Sequence, residues 1–188
     1  MGGSLMASII TATTTSGLTQ SADNSGVLQL ASGAGNLVTV PSVTGTAMVS
    51  GNMPAFSAWL GGGNQSLTIA TWTKITFNTE EFDTNSCYNT STYRFTPNVA
   101  GYYQVNLIAY QAAGGTTALT TSIYKNGSAF KTNQLIVSTY QNVVTTALIY
   151  LNGSTDYIEA YANSTGATGS IISSTEYTYF QAYLARSA

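Results

Sequence analysis

With no histidine among these 188 residues, seven acidic side chains and one thiol are the side chains whose ordinary pKa values lie nearest to neutral pH. Without an imidazole there is no Ser-His or Cys-His nucleophile and no His-based zinc site. The acids group as Glu80, Glu81 and Asp83, and as Asp156 with Glu159. Two carboxylates facing across a sugar are what glycoside hydrolysis requires, yet the first three fall in one loop-like stretch and read as solvated loop acids. Calcium accepts carboxylates and loop carbonyls. Asp83 and Asp156 are its nominal candidates, but no EF-hand spacing accompanies them and no metal ligand is assigned. Cys87 has no supporting base and reads as a small buried or half-buried residue. Asn-X-Ser/Thr triplets at Asn64, Asn89, Asn126, Asn152 and Asn163 arise by chance in a chain this rich in Asn, Ser and Thr. The expectation is a non-enzymatic protein with no catalytic residue, metal or cofactor.

Composition supports that expectation. Charged residues make up only 6% of the chain, against about 25% in ordinary soluble domains. Five basic residues and a net charge of −2 cannot build the phosphate-neutralising stripe of a nucleic-acid binder or a polybasic membrane anchor. Weak net charge also gives little self-repulsion, so permanent association is not opposed. The opening MGGSLMASIITATTTSG lacks a basic n-region and a long apolar run, and reads as neither secretory signal nor membrane span. Met6 is an alternative start to Met1.

The elements that carry these residues divide at about Ser50-Gly51-Asn52. Residues 1–51 contain one charged residue, Asp23, and no aromatic. Short alternations at Val27–Leu30 and Leu37–Val40, separated by Gly-rich turn signals, predict small strands ordered by pairing with other chains. In residues 52–188 every aromatic of the chain appears. Strand signals recur there at Ala55–Leu60, Trp72–Asn78, Thr92–Phe95, Tyr102–Gln111, Ala118–Lys125, Leu135–Tyr140, Val143–Leu151, Tyr157–Ala162 and Tyr177–Ala185. Turn chemistry at Gly61–Asn64, Pro97-Asn98, Gly114-Gly115, Asn126-Gly127 and Asn152-Gly153 separates them. Short β-branched and aromatic runs without an amphipathic helix predict an all-β sandwich or barrel.

Within this region Phe77, Asp83, Tyr88, Phe95, Gly101 and Tyr103 form the spacing F-x5-D-x4-Y-x6-F-x5-G-x-Y. Side chains alternate across a strand, so Tyr103, Val105, Leu107 and Ala109 share a core face while Tyr102, Gln104, Asn106, Ile108 and Tyr110 share the other. Phe77 and Phe95 close the same core, and Gly101 allows a tight entry to the strand. Towards the C-terminus Tyr177, Tyr179 and Tyr183 alternate with the core candidates Phe180 and Leu184.

The spacing resembles the signature of C1q-like domains. Tyr124-Lys125-Asn126-Gly127 is similar to the K-N-G hairpin of that family, and Phe180–Leu184 to its closing strand. Val105 and Leu107 stand where the family usually has aromatics, Ala182 replaces a usual Gly, and the collagen-like stalk is missing. The resemblance implies a C1q/TNF-like jelly roll that packs one sheet about a threefold axis as a homotrimer. Tyr102, Tyr110, Tyr177, Tyr179 and Tyr183 are then the interface candidates, because a tyrosine row on the second face of a sheet calls for burial. More loosely, SADNSGVLQLASGAGNLVTV is similar to N-terminal segments of phage fibre and structural proteins. That likeness implies a bacteriophage virion surface protein, a capsid decoration protein or short fibre. Residues 1–51 would dock onto other virion proteins, and the head would project for adhesion to a host surface glycan or receptor through loops such as Gly61–Gln65, Gly114–Thr117 and Ser164–Ser170. The alternative is a free extracellular recognition module.

Overall fold

The computed structural model describes residues 51, 53–112, 118–136 and 140–188, together with the backbone of 28–31 and 37–40. The chain divides into two units, Met1–Gly45 and Thr46–Ala188, so the division falls a few residues before the sequence boundary at 51/52. In the first unit β1 (Leu28–Ala31) and β2 (Leu37–Val40) pair antiparallel, Leu28 opposite Val40. These are the two alternating runs picked out by periodicity, and they pair with each other, where the sequence predicts pairing with other chains.

The second unit is a β-sandwich of two antiparallel sheets and contains no helix longer than a turn among the described residues. Its strands are β3 (Ala55–Trp59), β4 (Gln65–Leu67), β5 (Thr73–Lys74), β6 (Thr79–Asp83), β7 (Tyr88–Asn89), β8 (Arg94–Phe95), β9 (Ala100–Tyr110), β10 (Ala118–Lys125), β11 (Ser128–Ile136), β12 (Asn142–Asn152), β13 (Ile158–Thr165), β14 (Gly169–Ile171) and β15 (Tyr179–Ser187). One sheet runs β11-β10-β13-β8-β7 with β5 also on β13, the other β12-β9-β15-β3-β6, and β14 with β4 makes a small flap. The chain crosses between sheets from β9 to β10, from β11 to β12 and from β12 to β13. It closes with β15 lying between β9 and β3, so the first and last long strands of the head are neighbours. This is a jelly roll.

The core is aromatic at its centre. Phe56 of β3 stacks at 4.6 Å on both Tyr88 and Phe95 and meets Phe180 edge-on at 5.2 Å. Phe77 stacks on Phe180, and Phe95 meets Tyr103 edge-on. Offset and edge-on pairs of this kind add about 0.5–1.5 kcal/mol each beyond their area burial. Away from the rings, Thr121 of β10 and Thr145 of β12 share a buried hydroxyl–hydroxyl bond of 2.6 Å. It ties the two sheets together inside an apolar interior.

Several sequence boundaries shift. Of the run expected as a strand at Leu135–Tyr140, Leu135 and Ile136 belong to β11, which begins at Ser128, and residues 137–139 lie outside the described residues; Asn126 (φ 51°) and Gly127 (φ 80°) make a tight left-handed turn directly after β10, the geometry of a two-residue hairpin loop. Glu80, Glu81 and Asp83 lie on β6 and not in a loop, because β3 pairs with that segment from Phe56 to Trp59. Tyr177 precedes β15, in the turn that enters it. The Ser164–Ser170 loop shrinks, since β13 runs through Thr165 and β14 starts at Gly169. The Gly114–Thr117 loop lies outside the described residues.

Candidate functional site

Four of the spaced motif residues are core side chains. Phe77, Phe95 and Tyr103 are fully buried and Tyr88 nearly so. The two phenols spend their hydroxyls on backbone: Tyr88 donates to the Phe77 carbonyl at 2.8 Å, and Tyr103 to the Val99 carbonyl at 2.7 Å. Burial raises both phenols far above their ordinary pKa, so they stay neutral donors. Asp83 accepts from the Tyr88 backbone N–H at 2.7 Å and thereby shapes the turn that delivers Tyr88. Gly101 lies where the register of β15 slips between Leu184 and Arg186. A Cβ there would run into the Arg186 carbonyl and the Leu184 side chain. Close approach of a bulged neighbour, more than strand entry, is what calls for glycine.

Three further acids, Glu81, Asp156 and Glu159, are also committed to structure. Glu81 accepts from Ser57 Oγ at 2.6 Å. Asp156 pairs with Lys125 at 2.9 Å and accepts from Asn126 and from the Asn152 backbone N–H. Partial burial works against its charge, but these donors outweigh it and hold the carboxyl below the usual aspartate range. Glu159, 1% exposed, takes Lys74 and Arg94 on one oxygen. Among the described residues no three His, Cys, Asp or Glu side chains converge as metal ligands would. Asp83 and Asp156 hold separate turns and form no common donor set. Burial raises the Cys87 thiol, against a partly compensating backbone hydrogen bond from Asn98.

What stays unspent is the outward face of the β12-β9-β15-β3-β6 sheet. Strand register arranges it in rows. The first row is Val144, Ile108, Tyr179 and Trp59. The second is Thr146, Asn106, Gln181 and Ser57. The third is Leu148, Gln104, Tyr183 and Ala55, and the fourth is Tyr150, Tyr102 and Arg186. Leu148 is 57% exposed and Tyr183 52%, with Val144, Tyr102 and Tyr150 each above 40%. Tyr102 and Tyr150 pack together at 5.5 Å, and at the opposite end Tyr110 stacks on Tyr177 at 5.1 Å and on Tyr140 at 6.0 Å. All five tyrosines named from the sequence therefore fall on this face or at its end. Its β12 contribution, Val144, Leu148 and Tyr150, was not named, although strict alternation over Val143–Leu151 carries the signal. Large apolar side chains clustered on one sheet face mark an interaction surface, unlike scattered single ones.

The fold is a jelly roll of the C1q/TNF type. Solved structures similar to this chain include the globular domain of zebrafish complement 1qA, at 16% identity and a TM-score of 0.51, covering 72% of this chain and 98% of that one. Murine APRIL at pH 5.0 is similar at 9% identity and a TM-score of 0.57, covering 70% and 98%. A TNF homologue, Eiger from S. frugiperda, is similar at 10% identity and a TM-score of 0.51, covering 72% and 93%. At such identities the likeness is one of fold. No protein-family model matches the sequence, and no curated protein matches it.

Proposed function

We propose that this chain is a non-enzymatic recognition and structural protein that works as a homotrimer, with the outward face of the β12-β9-β15-β3-β6 sheet packed about the threefold axis. The observation that carries the reading is the registered set of exposed Leu148, Val144, Tyr102, Tyr150 and Tyr183 on a single sheet face. A chain with so few charges has little other means of keeping such a face from indiscriminate association. Threefold assembly also suits a binding head, because three weak contacts act together through effective concentration.

The setting that fits best is the surface of a bacteriophage virion, as a capsid decoration protein or short fibre. Residues 1–51 would anchor on the particle and the head would project for adhesion or shell reinforcement. Support comes from the charge-poor composition, the aromatic-free first fifty residues and their likeness to phage structural segments. Proteomics of purified particles tests it: the chain should be present in copies that are a multiple of three. Absence from particles, with a trimer in solution, would leave a free extracellular recognition module instead.

A further inference from the structure

The outward face of the other sheet is built on a different plan. Tyr124 of β10, Glu159 and Tyr161 of β13 and Lys74 of β5 project away from the core, and Arg94 of β8 joins them through Glu159. Tyr124 and Tyr161 stack with centroids 4.0 Å apart, and Trp72, 39% exposed, meets Tyr124 edge-on at 5.9 Å. The result is a row of three rings. Alongside it β11 exposes the Thr132 hydroxyl and the Gln134 amide, each bonded at 2.9 Å to a buried hydroxyl beneath, Ser122 and Thr120 respectively.

The charge of this face is equally specific. Lys74 and Arg94 share one oxygen of buried Glu159, so two cations meet a single carboxylate and one positive charge is left over. Arg94 approaches Glu159 through Nε, lies over the Tyr157 ring at 4.1 Å and is well exposed. Among the described residues its Nη nitrogens donate to nothing. Across the head the charges separate by sheet. Lys74, Arg94, Lys125 and Lys131, four of the five basic residues, lie on β5, β8, β10 and β11. Against them stand Glu159 on the same sheet and Asp156, which Lys125 engages. Glu80, Glu81 and Asp83 are all on β6 of the opposite sheet.

An exposed indole beside a hydroxyl and an amide is suited to a saccharide, whose C–H face lies against an aromatic ring while its hydroxyls meet Thr132 and Gln134; Tyr124 and Tyr161, stacked on each other, form the wall beside that indole. The surplus cation and the free guanidinium fork select for a carboxylate, which arginine binds through two parallel N–H bonds. We propose that this face is a binding site for carboxylated saccharides, chains of uronic-acid or sialic-acid type. A pyranose ring lies against Trp72 beside the stacked Tyr124 and Tyr161, and a carboxylate meets Arg94 beside Lys74.

The proposal rests on the reading of the head as a recognition module, but every residue of the site belongs to one protomer and lies on the sheet opposite the assembly face. Calorimetric titration of the full chain with oligogalacturonate and with α2,8-linked oligosialic acid tests it, with light-scattering mass measured on the same sample. Saturable binding of at least one probe is expected. It should weaken at least tenfold with the carboxyl-reduced, neutral form of that probe, and at least tenfold in a Trp72→Ala variant whose circular dichroism and mass are unchanged. Failure of both probes to bind, equal binding of the reduced form, or undiminished binding by folded Trp72→Ala overturns the site. A monomer that binds removes the trimer and leaves the site standing, whereas a trimer that binds neither probe does the reverse.

Discussion

A buried polar pair shows how unequally two similar side chains can be committed. Thr145 Oγ1 has two partners, the Thr121 hydroxyl at 2.6 Å and, at 3.3 Å, the Thr121 carbonyl. Thr121 Oγ1 has only Thr145. Thr145→Val therefore strands a hydroxyl in the core, at a cost of about 1–3 kcal/mol. Thr121→Val leaves Thr145 donating to a carbonyl and should cost less than about 1 kcal/mol. The double valine variant should be less destabilised than the sum of the two, because no unpaired hydroxyl remains. Urea midpoints of the three variants check this ordering, and equal losses for the two single variants would contradict it. Phe56→Ala belongs to another class. It removes the ring on which Tyr88 and Phe95 stack and should cost about 3–5 kcal/mol.

At the scale of elements, short strands are held by charge placed far away in sequence. β5 and β8 have two residues each, too few for ladder hydrogen bonds alone, and Glu159 pins both to β13 through Lys74 and Arg94. Removing both cations leaves a buried, unpaired carboxylate, a defect worth about 3–5 kcal/mol. The Lys74→Met/Arg94→Met double variant should accordingly unfold at much lower urea than Glu159→Gln, whose two stranded cations are 26% and 39% exposed and can hydrate. Asp156 does comparable work where the β10–β11 turn meets the β12–β13 connection. Its carboxyl is held below the usual range, so its contribution is present above the ordinary aspartate pKa of about 3.9 and fades as pH falls through the depressed one. Asp156→Asn should lose stability at neutral pH and show a flatter acid limb in urea midpoints measured from neutral pH down to about pH 2.

These links were only partly legible in the sequence, for reasons of range. The Asn126-Gly127 hairpin and the alternation of β9 are local, and local chemistry announces them. β6 becomes a strand only because β3, more than twenty residues upstream in the chain, supplies its partner. β11 is exposed along its whole length, so it has no apolar period to read. Glu159 sits 85 and 65 residues from its two cations. No spacing rule distinguishes such an acid from a solvated one, and the row of Trp72, Tyr124 and Tyr161 was invisible for the same reason.

For the whole molecule the decisive surface is layered. On the proposed assembly face the row of Thr146, Asn106, Gln181 and Ser57 lies between the Val144 row and the Leu148–Tyr183 row, with Tyr102 and Tyr150 in the row beyond the latter. Once buried between subunits, the apolar rows supply the driving force at about 25 cal/mol per Å² of apolar area. The amides of Asn106 and Gln181 must find partners or cost about 1–3 kcal/mol each. Affinity and register thus rest on different residues. Leu148→Lys with Tyr183→Asp attacks the apolar rows and should convert the proposed trimer to monomer, or to aggregate, by light scattering. Asn106→Leu with Gln181→Leu removes the penalty for a shifted or differently numbered assembly, since a polar position fixes register at some expense in stability. That variant should remain associated, yet its mass distribution should broaden beyond three chains; a sharp trimer from the double leucine variant would mean that register is set elsewhere, and an unchanged trimer from the charged variant would place the interface on another face.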